Sequence, residues 1–194
     1  LVSQPEAAIN NAQAEIKGVV GLTERVVGTL VRPFIKGQEL IDIENTDQDL
    51  MSGMNQRIEK ISFLNQKISE YLITASKSDL SSNQSKELFT LVSIVNYLSS
   101  MNDLIKVRFV SLVSKKEGIN EDFSDTDQQE AIDYHKRLIK QVNRLDKFFI
   151  KFDKEKMEKI IMKGKENTDF EKKYKLDRIE RMKTSSEADI KSSE

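Results

Sequence analysis

Residues 82–118 read SNQSKELFTLVSIVNYLSSMNDLIKVRFVSLVSKKEG. Within them Leu88, Leu91, Val95, Leu98, Asn102, Ile105, Phe109 and Leu112 recur at spacings of three and four. That alternation puts one apolar line along a helix and suits neighbours packed nearly parallel to it. A strand would alternate at every second residue, and this stretch does not. Gly118 is a natural helix stop. Asn102 sits on the apolar line itself, where a buried amide fixes the register between helices.

The same spacing extends outward on both sides. Towards the N-terminus, Ser3 and Glu6 form a capping-box pattern, with Pro5 where a first turn tolerates it. Ile9, Ala12, Ile16, Val19, Val26 and Leu30 follow. Gly18, Gly21 and Gly28 each cost a helix about 1 kcal/mol against Ala; either they let a neighbour approach or they are tolerated. Pro33 predicts a kink or an end near Arg32. Thr46 with Asp49 marks a second start, leading into Leu50, Met54, Ile58, Ile61, Leu64, Ile68, Leu72 and Ala75. The segment 76–82 reads as a tight connection and 117–124 as a loop.

Beyond the loop, Ser124 with Asp127 opens a fourth helix carrying Ala131, Tyr134, Leu138, Val142, Leu145, Phe149 and Phe152. A fifth, strongly charged helix follows from about Asp153. Its apolar line falters across Gly164 to Asp169 and resumes at Leu176, Ile179 and Met182. Thr184 to Ala188 reads as a loop before the stub of a sixth helix. Short connections make sequential helices antiparallel. The expected organisation is therefore two groups of three helices, residues 1–118 and 119–194.

Composition agrees with this fold class. The 194 residues are 38% hydrophobic and 32% charged, with seven Gly, two Pro and no Cys. Helices with solvated faces fit that balance, and thiolate metal sites, disulfides and cysteine catalysis are excluded. No run of about 18 apolar residues is present, and the N-terminus lacks the layout of a signal peptide. The first residue is not Met and the last residues look like the beginning of a helix, so a piece of a longer protein is expected. Charge is uneven: residues 1–135 carry 13 basic and 20 acidic side chains, and residues 136–183 carry 17 and nine. A basic half can contact phosphates or anionic lipid; interleaved acids make a solvated helix face the plainer reading.

Chemistry-bearing patterns are sparse. His135, the single histidine, has only Tyr134 and Lys136 beside it and reads as an ordinary surface residue, since general bases need placed partners. Gly18 and Gly21 follow no strand and form no phosphate loop. Asp103 lies next to the apolar line with Ser99 one turn before it, and one carboxylate is a poor site for a hard cation. Asn83-Gln84-Ser85 matches a glycosylation triplet without any sign of secretion. Phe148, Phe149, Phe152 and Phe170 lie in the basic half, where Phe149 and Phe152 read as core rather than as base-stacking platforms. No catalytic, cofactor-binding or metal-binding residue is assigned, no enzyme activity is expected, and no nucleic-acid motif is visible.

Several of these segments together resemble a known family. Glu15, preceded by Pro5-Glu6-Ala7-Ala8 and Ala12-Gln13-Ala14, looks like the start of the PhoU-like cytoplasmic domain of bacterial sodium/phosphate cotransporter-family proteins. Ile58-Glu59-Lys60, Ile68-Ser69-Glu70-Tyr71-Leu72 and Leu80-Ser81-Ser82 resemble its second helix and turn. Ile94-Val95-Asn96-Tyr97-Leu98-Ser99-Ser100-Met101-Asn102-Asp103 sits where the family carries an E-x-x-x-D metal motif. Tyr174 to Met182 resembles the end of its fifth helix and Ser185 to Glu194 the start of its sixth. The resemblance covers nearly the whole chain.

It implies an all-α, PhoU-like up-down bundle of two three-helix units with the sixth helix cut short. It implies a regulatory domain on the cytoplasmic face of the inner membrane, attached to a transmembrane transporter portion N-terminal to Leu1. Contacts with that portion or with an anionic membrane surface, rather than bond chemistry, would carry its role. Ser99 replaces the first metal acid and the partner motif would lie beyond Glu194, so no metal or other cofactor is expected. A free-standing helical adaptor, paired as a homodimer, explains the apolar lines equally well.

Overall fold

The computed structural model describes residues 5–118, 123–150 and 153–191, with side chains given to 149 and from 153 to 184. Every regular element in them is helical: α1 (Pro5–Thr29), a 3₁₀ turn (Arg32–Phe34), α2 (Leu50–Ala75), α3 (Ser82–Leu104), α4 (Val110–Glu117), α5 (Asp125–Ile150) and α6 (Lys154–Lys191). The all-α bundle expected from the sequence is the fold observed. Local chemistry sets most boundaries. Asp49, rather than Thr46, is the N-cap of α2, its carboxylate accepting from Ser52 N at 2.9 Å. Ser81 and Gln84 form a reciprocal capping box at α3. Ser124 accepts from Asp127 N at 3.1 Å, as the sequence pattern predicts. Asp153 accepts from the amides of Glu155 and Lys156 at the start of α6. Each cap satisfies donors that a helix start leaves orphaned. Ser3 and Phe152, to which the sequence gives roles, lie outside the described residues.

The chain divides into two compact units, residues 1–152 and 153–194. In the first, α1 is the centre, packed by α2, α3 and α5. Ile16, Val19, Val20 and Val26 of α1 are wholly buried, with Met54, Ile58, Ile61 and Leu72 of α2 and Leu91, Val95 and Leu98 of α3 around them. The division expected after Gly118 is corrected here. Helix α5 joins the first three helices because its apolar face, Leu138, Val142, Leu145 and Phe149, closes over the same core. Asn143 on α5 also donates to Glu24 on α1 at 2.8 Å.

Among the described residues, the second unit is a single helix. The expected loop at 184–188 and separate sixth helix are replaced by continuous α6, from Lys154 through Lys191. The Thr184 hydroxyl donates back to the carbonyls of Glu180 and Arg181, a way a helix accommodates a threonine in its interior. Lys163–Glu166 and Lys175–Glu171 pairs brace the exposed surface.

A five-residue π-turn, Ile105–Phe109, joins α3 to α4 in one rod. It changes the apolar line. Ile105, Phe109 and Val113 are buried at intervals of four, whereas Leu112, expected on that line, is 52% exposed. An extra residue in a turn rotates all that follows about the axis. Phe109 there meets Phe34 edge to face, with ring centres 6.0 Å apart.

Candidate functional site

Two polar clusters lie on α2, one charged and one neutral. The charged cluster ties the 30–49 connection to the helix. After α1, Pro33 begins the 3₁₀ turn, and Gly37 takes the positive φ of 74° that reverses the chain. Ile41 and Asp49 form a short antiparallel bridge, and Arg32 donates to the carbonyls of Glu39 and Ile41. This hairpin delivers Asp42 into the bundle, where it is 1% exposed.

The Asp42 carboxylate is paired by both guanidinium ends of Arg57. It also accepts from the amides of Glu44 and Asn45, at 2.9 and 3.0 Å. The Arg57 hydrogen bond outweighs burial and, with the two amides, holds the Asp42 carboxyl down to about 2. Glu44 extends the chain of charge, meeting Arg57 at 3.1 Å and Arg25 of α1 at 2.9 Å. Gly53 makes room for it: a Cβ there would overlap the Asp42 carboxylate. Arg25, Gln48, Gln56 and Lys60 help enclose a cleft of about 210 Å³ beside the cluster. Asp42 and Glu44 pair with Arg57, and Glu44 with Arg25, while Arg57 Nε has no hydrogen-bond partner, so the arrangement clamps a loop.

The neutral cluster lies two turns further along α2, facing α3. Asn102 is 3% exposed, and its amide donates to Ile58 O at 3.0 Å and to Ser62 Oγ at 2.9 Å. That is the register-fixing role its place on the apolar line implies. Asn65, 2% exposed, has no hydrogen-bond partner on either side-chain atom, and Asn102 Oδ1 has none either. Asn65 borders a cleft of about 220 Å³ that is lined also by Ser62, Gln66, Ser69, Ser99 and Asp103. Such a cleft offers hydroxyl and amide groups and one carboxylate. It suits water or a small neutral hydrogen-bonding group better than a hard divalent ion. Among the described residues no three acidic or histidine side chains gather as a metal site would require.

The other singled-out residues fall into place. His135 is not on the surface: it is 9% exposed, and its Nε2 lies 2.6 Å from Val27 O, in the last turn of α1. Its position on α5 faces the core, and the polar neighbours Tyr134 and Lys136 hid that. Phe149 is buried and packs edge to face with Phe148 at 5.8 Å. Phe170 is half-buried. Asn83, Gln84 and Ser85 form the exposed first turn of α3. Gly18, Gly21 and Gly28 have nothing within 4 Å of where a Cβ would stand, so they serve no close approach.

Sequence reading passed over the Asp42–Arg57 clamp. Its signal was an arginine and a glycine, Gly53 and Arg57, on the buried side of α2 among Leu50, Met54 and Ile58. Compared with family models, with curated proteins and with solved structures, the chain matches none.

Proposed function

We propose that this chain is a PhoU-like regulatory domain of a sodium-dependent phosphate transporter, working by docking rather than by bond chemistry. The observation that supports the reading best is the order of its landmarks. Ile58–Lys60 and Ile68–Leu72 fall on α2, Leu80–Ser82 on the turn, and Ile94–Asp103 on α3. That is the succession the resemblance implies for its second and third helices, whereas its boundary between fifth and sixth helices falls inside continuous α6. The neutral cleft is where the chain departs from the family pattern: the position of a metal-binding pair holds Ser99 and Asp103, with Asn65 beside them. A domain with that substitution transmits a signal through surfaces. On this reading the basic exposed side chains of α6 meet the transporter or anionic lipid, at about 1 kcal/mol per well-placed cation.

The alternative is a free-standing helical adaptor. One experiment separates them. The reading frame upstream of Leu1 is sequenced, and sodium-dependent phosphate uptake is measured in cells carrying the frame with and without residues 1–194. Membrane-spanning segments upstream, with uptake whose regulation by external phosphate is lost on deletion, are expected. A frame without such segments, or uptake that responds to phosphate identically when the domain is removed, overturns the proposal.

A further inference from the structure

From Leu88 to Asn102 the sequence holds no charged residue. The inner face of this segment is core: Leu88, Leu91, Val95, Leu98 and Asn102 are buried. Its outer face is exposed and equally uncharged. Phe89 is 71% exposed, Tyr97 76% and Leu104 60%. A solvated helix face normally carries charge, as α2 does with Glu59, Lys67 and Glu70.

The outer face also has its own heptad spacing. Up to the π-turn, Thr90, Ser93, Tyr97, Ser100 and Leu104 follow one another at three, four, three and four. That is the pattern of a helix-pairing seam, about a third of a turn or more from the buried one. The hydroxyls of Thr90, Ser93 and Ser100 need no outside partner. Thr90 donates to Lys86 O, Ser93 to Phe89 O and Ser100 to Asn96 O, at 2.9, 3.0 and 2.9 Å. Covering a hydroxyl that keeps its hydrogen bond avoids the usual cost of burying a polar group.

We infer that this strip is a self-association surface, on which α3 of a second copy packs antiparallel. The strip is self-complementary only in that sense. In an antiparallel seam Tyr97 meets Ser100 of the other copy and Leu104 meets its Ser93. Every layer then sets a bulky residue against a small one. A parallel pair would stack Tyr97 on Tyr97 and serine on serine, with voids between, and would bring Lys106 and Arg108 beside their own copies. Antiparallel packing instead brings Arg108 over the other Phe89 ring, a favourable arrangement.

The area is adequate for a weak dimer. Aromatic side chains present about 150–250 Å² each. With Leu104 and the serines, the strip offers on the order of 500 Å² per copy, against about 800 Å² in a standard interface. The rod of residues 82–117 has the length and hydropathy of a membrane span. Insertion, however, would strip its inner face from the core and break the Asn102 hydrogen bonds to α2, so a protein partner suits it better.

The test is sedimentation equilibrium of the 194-residue chain up to roughly millimolar concentration, the range fitting a small interface. A monomer–dimer equilibrium is expected, shifted at least tenfold towards monomer by Tyr97→Glu. Tyr97 is exposed, so helicity by circular dichroism should not change. Orientation is read by disulfide capture, which is clean because the chain has no cysteine. Ser93→Cys mixed with Leu104→Cys should cross-link, while each variant alone should not, its two copies lying about 16 Å apart along the axis. A chain monomeric throughout, or a dimer indifferent to Tyr97→Glu, overturns the inference. So does cross-linking of each variant with itself. Binding of a monomeric chain to phosphatidylglycerol vesicles, abolished by Tyr97→Glu, would assign the strip to a membrane surface and likewise overturn it. None of these outcomes depends on the transport reading.

Discussion

The two polar clusters on α2 answer the same problem, polar groups inside a bundle, in opposite ways. Around Asp42 and Arg57 each carboxylate oxygen has a donor, and the pair holds the twenty-residue 30–49 connection against the helix. Around Asn65 the amide is equally buried but has no protein partner. A buried charge must be paired to persist, because its desolvation costs far more than that of an amide. An amide can be left short of partners at a modest cost, and such a residue marks a place that stability alone did not shape. The charged cluster is therefore architecture and the neutral one a candidate for function.

Mutation should separate the two. The largest effect is expected for Asp42→Ala, which strands Arg57: a loss of about 3–5 kcal/mol in urea unfolding. Gly53→Ala should approach it, since the new methyl group displaces the same carboxylate. A loss under 1 kcal/mol for both would mean that the clamp does not hold the loop.

Acid gives a second, smaller contrast. The Asp42 carboxyl is held down to about 2 in the folded chain, from an ordinary 3.8. A depressed pKa stabilises above the unfolded value and is lost as pH falls through the folded one. About 2 kcal/mol should thus be present above pH 4 and disappear as the pH falls towards 2. In Asp42→Asn that component of the acid transition should be missing. The asparagine cluster has no titrating amide, so Asn65→Leu should leave the acid profile unchanged.

Asn65→Leu should itself raise stability, by about 1–2 kcal/mol, because it replaces an unsatisfied buried amide with an apolar group of the same branching and heavy-atom count. Destabilisation would mean that the amide has partners in solution. The smallest expected change is at Gly18 and Gly21 of α1. Alanine meets no atom there and should stabilise by about 0.5–1 kcal/mol each through helix propensity, read as a rise in melting temperature.

These contrasts bear on what could be read in advance. The Asn102 hydrogen bonds to α2 were legible, since a polar residue on a strict apolar line has few other roles. Asn65 was not, because it stands between Leu64 and Gln66 and the Ile61–Leu64–Ile68 line passes beside it. His135 was misread for a similar reason: polar neighbours imply exposure until a facing element is known. The outer strip of α3 was on the page as a second heptad, but the buried heptad on the same helix overshadowed it.

What the sequence determined by itself was local. Helix identity and most helix starts follow from side chains that bond their own backbone within three residues, as at Asp49, Ser124 and Asp153. The buried faces of α1, α2 and α3 follow from a spacing that only one helix period explains. What the tertiary structure decided was non-local. It placed α5 on α1, seated Asp42 against Arg57 fifteen residues away, and turned Leu112 outward after the π-turn. It also carried α6 unbroken past Thr184. Those outcomes depend on which surfaces compete for the same core, and that competition involves residues too far apart in sequence for any local pattern to record.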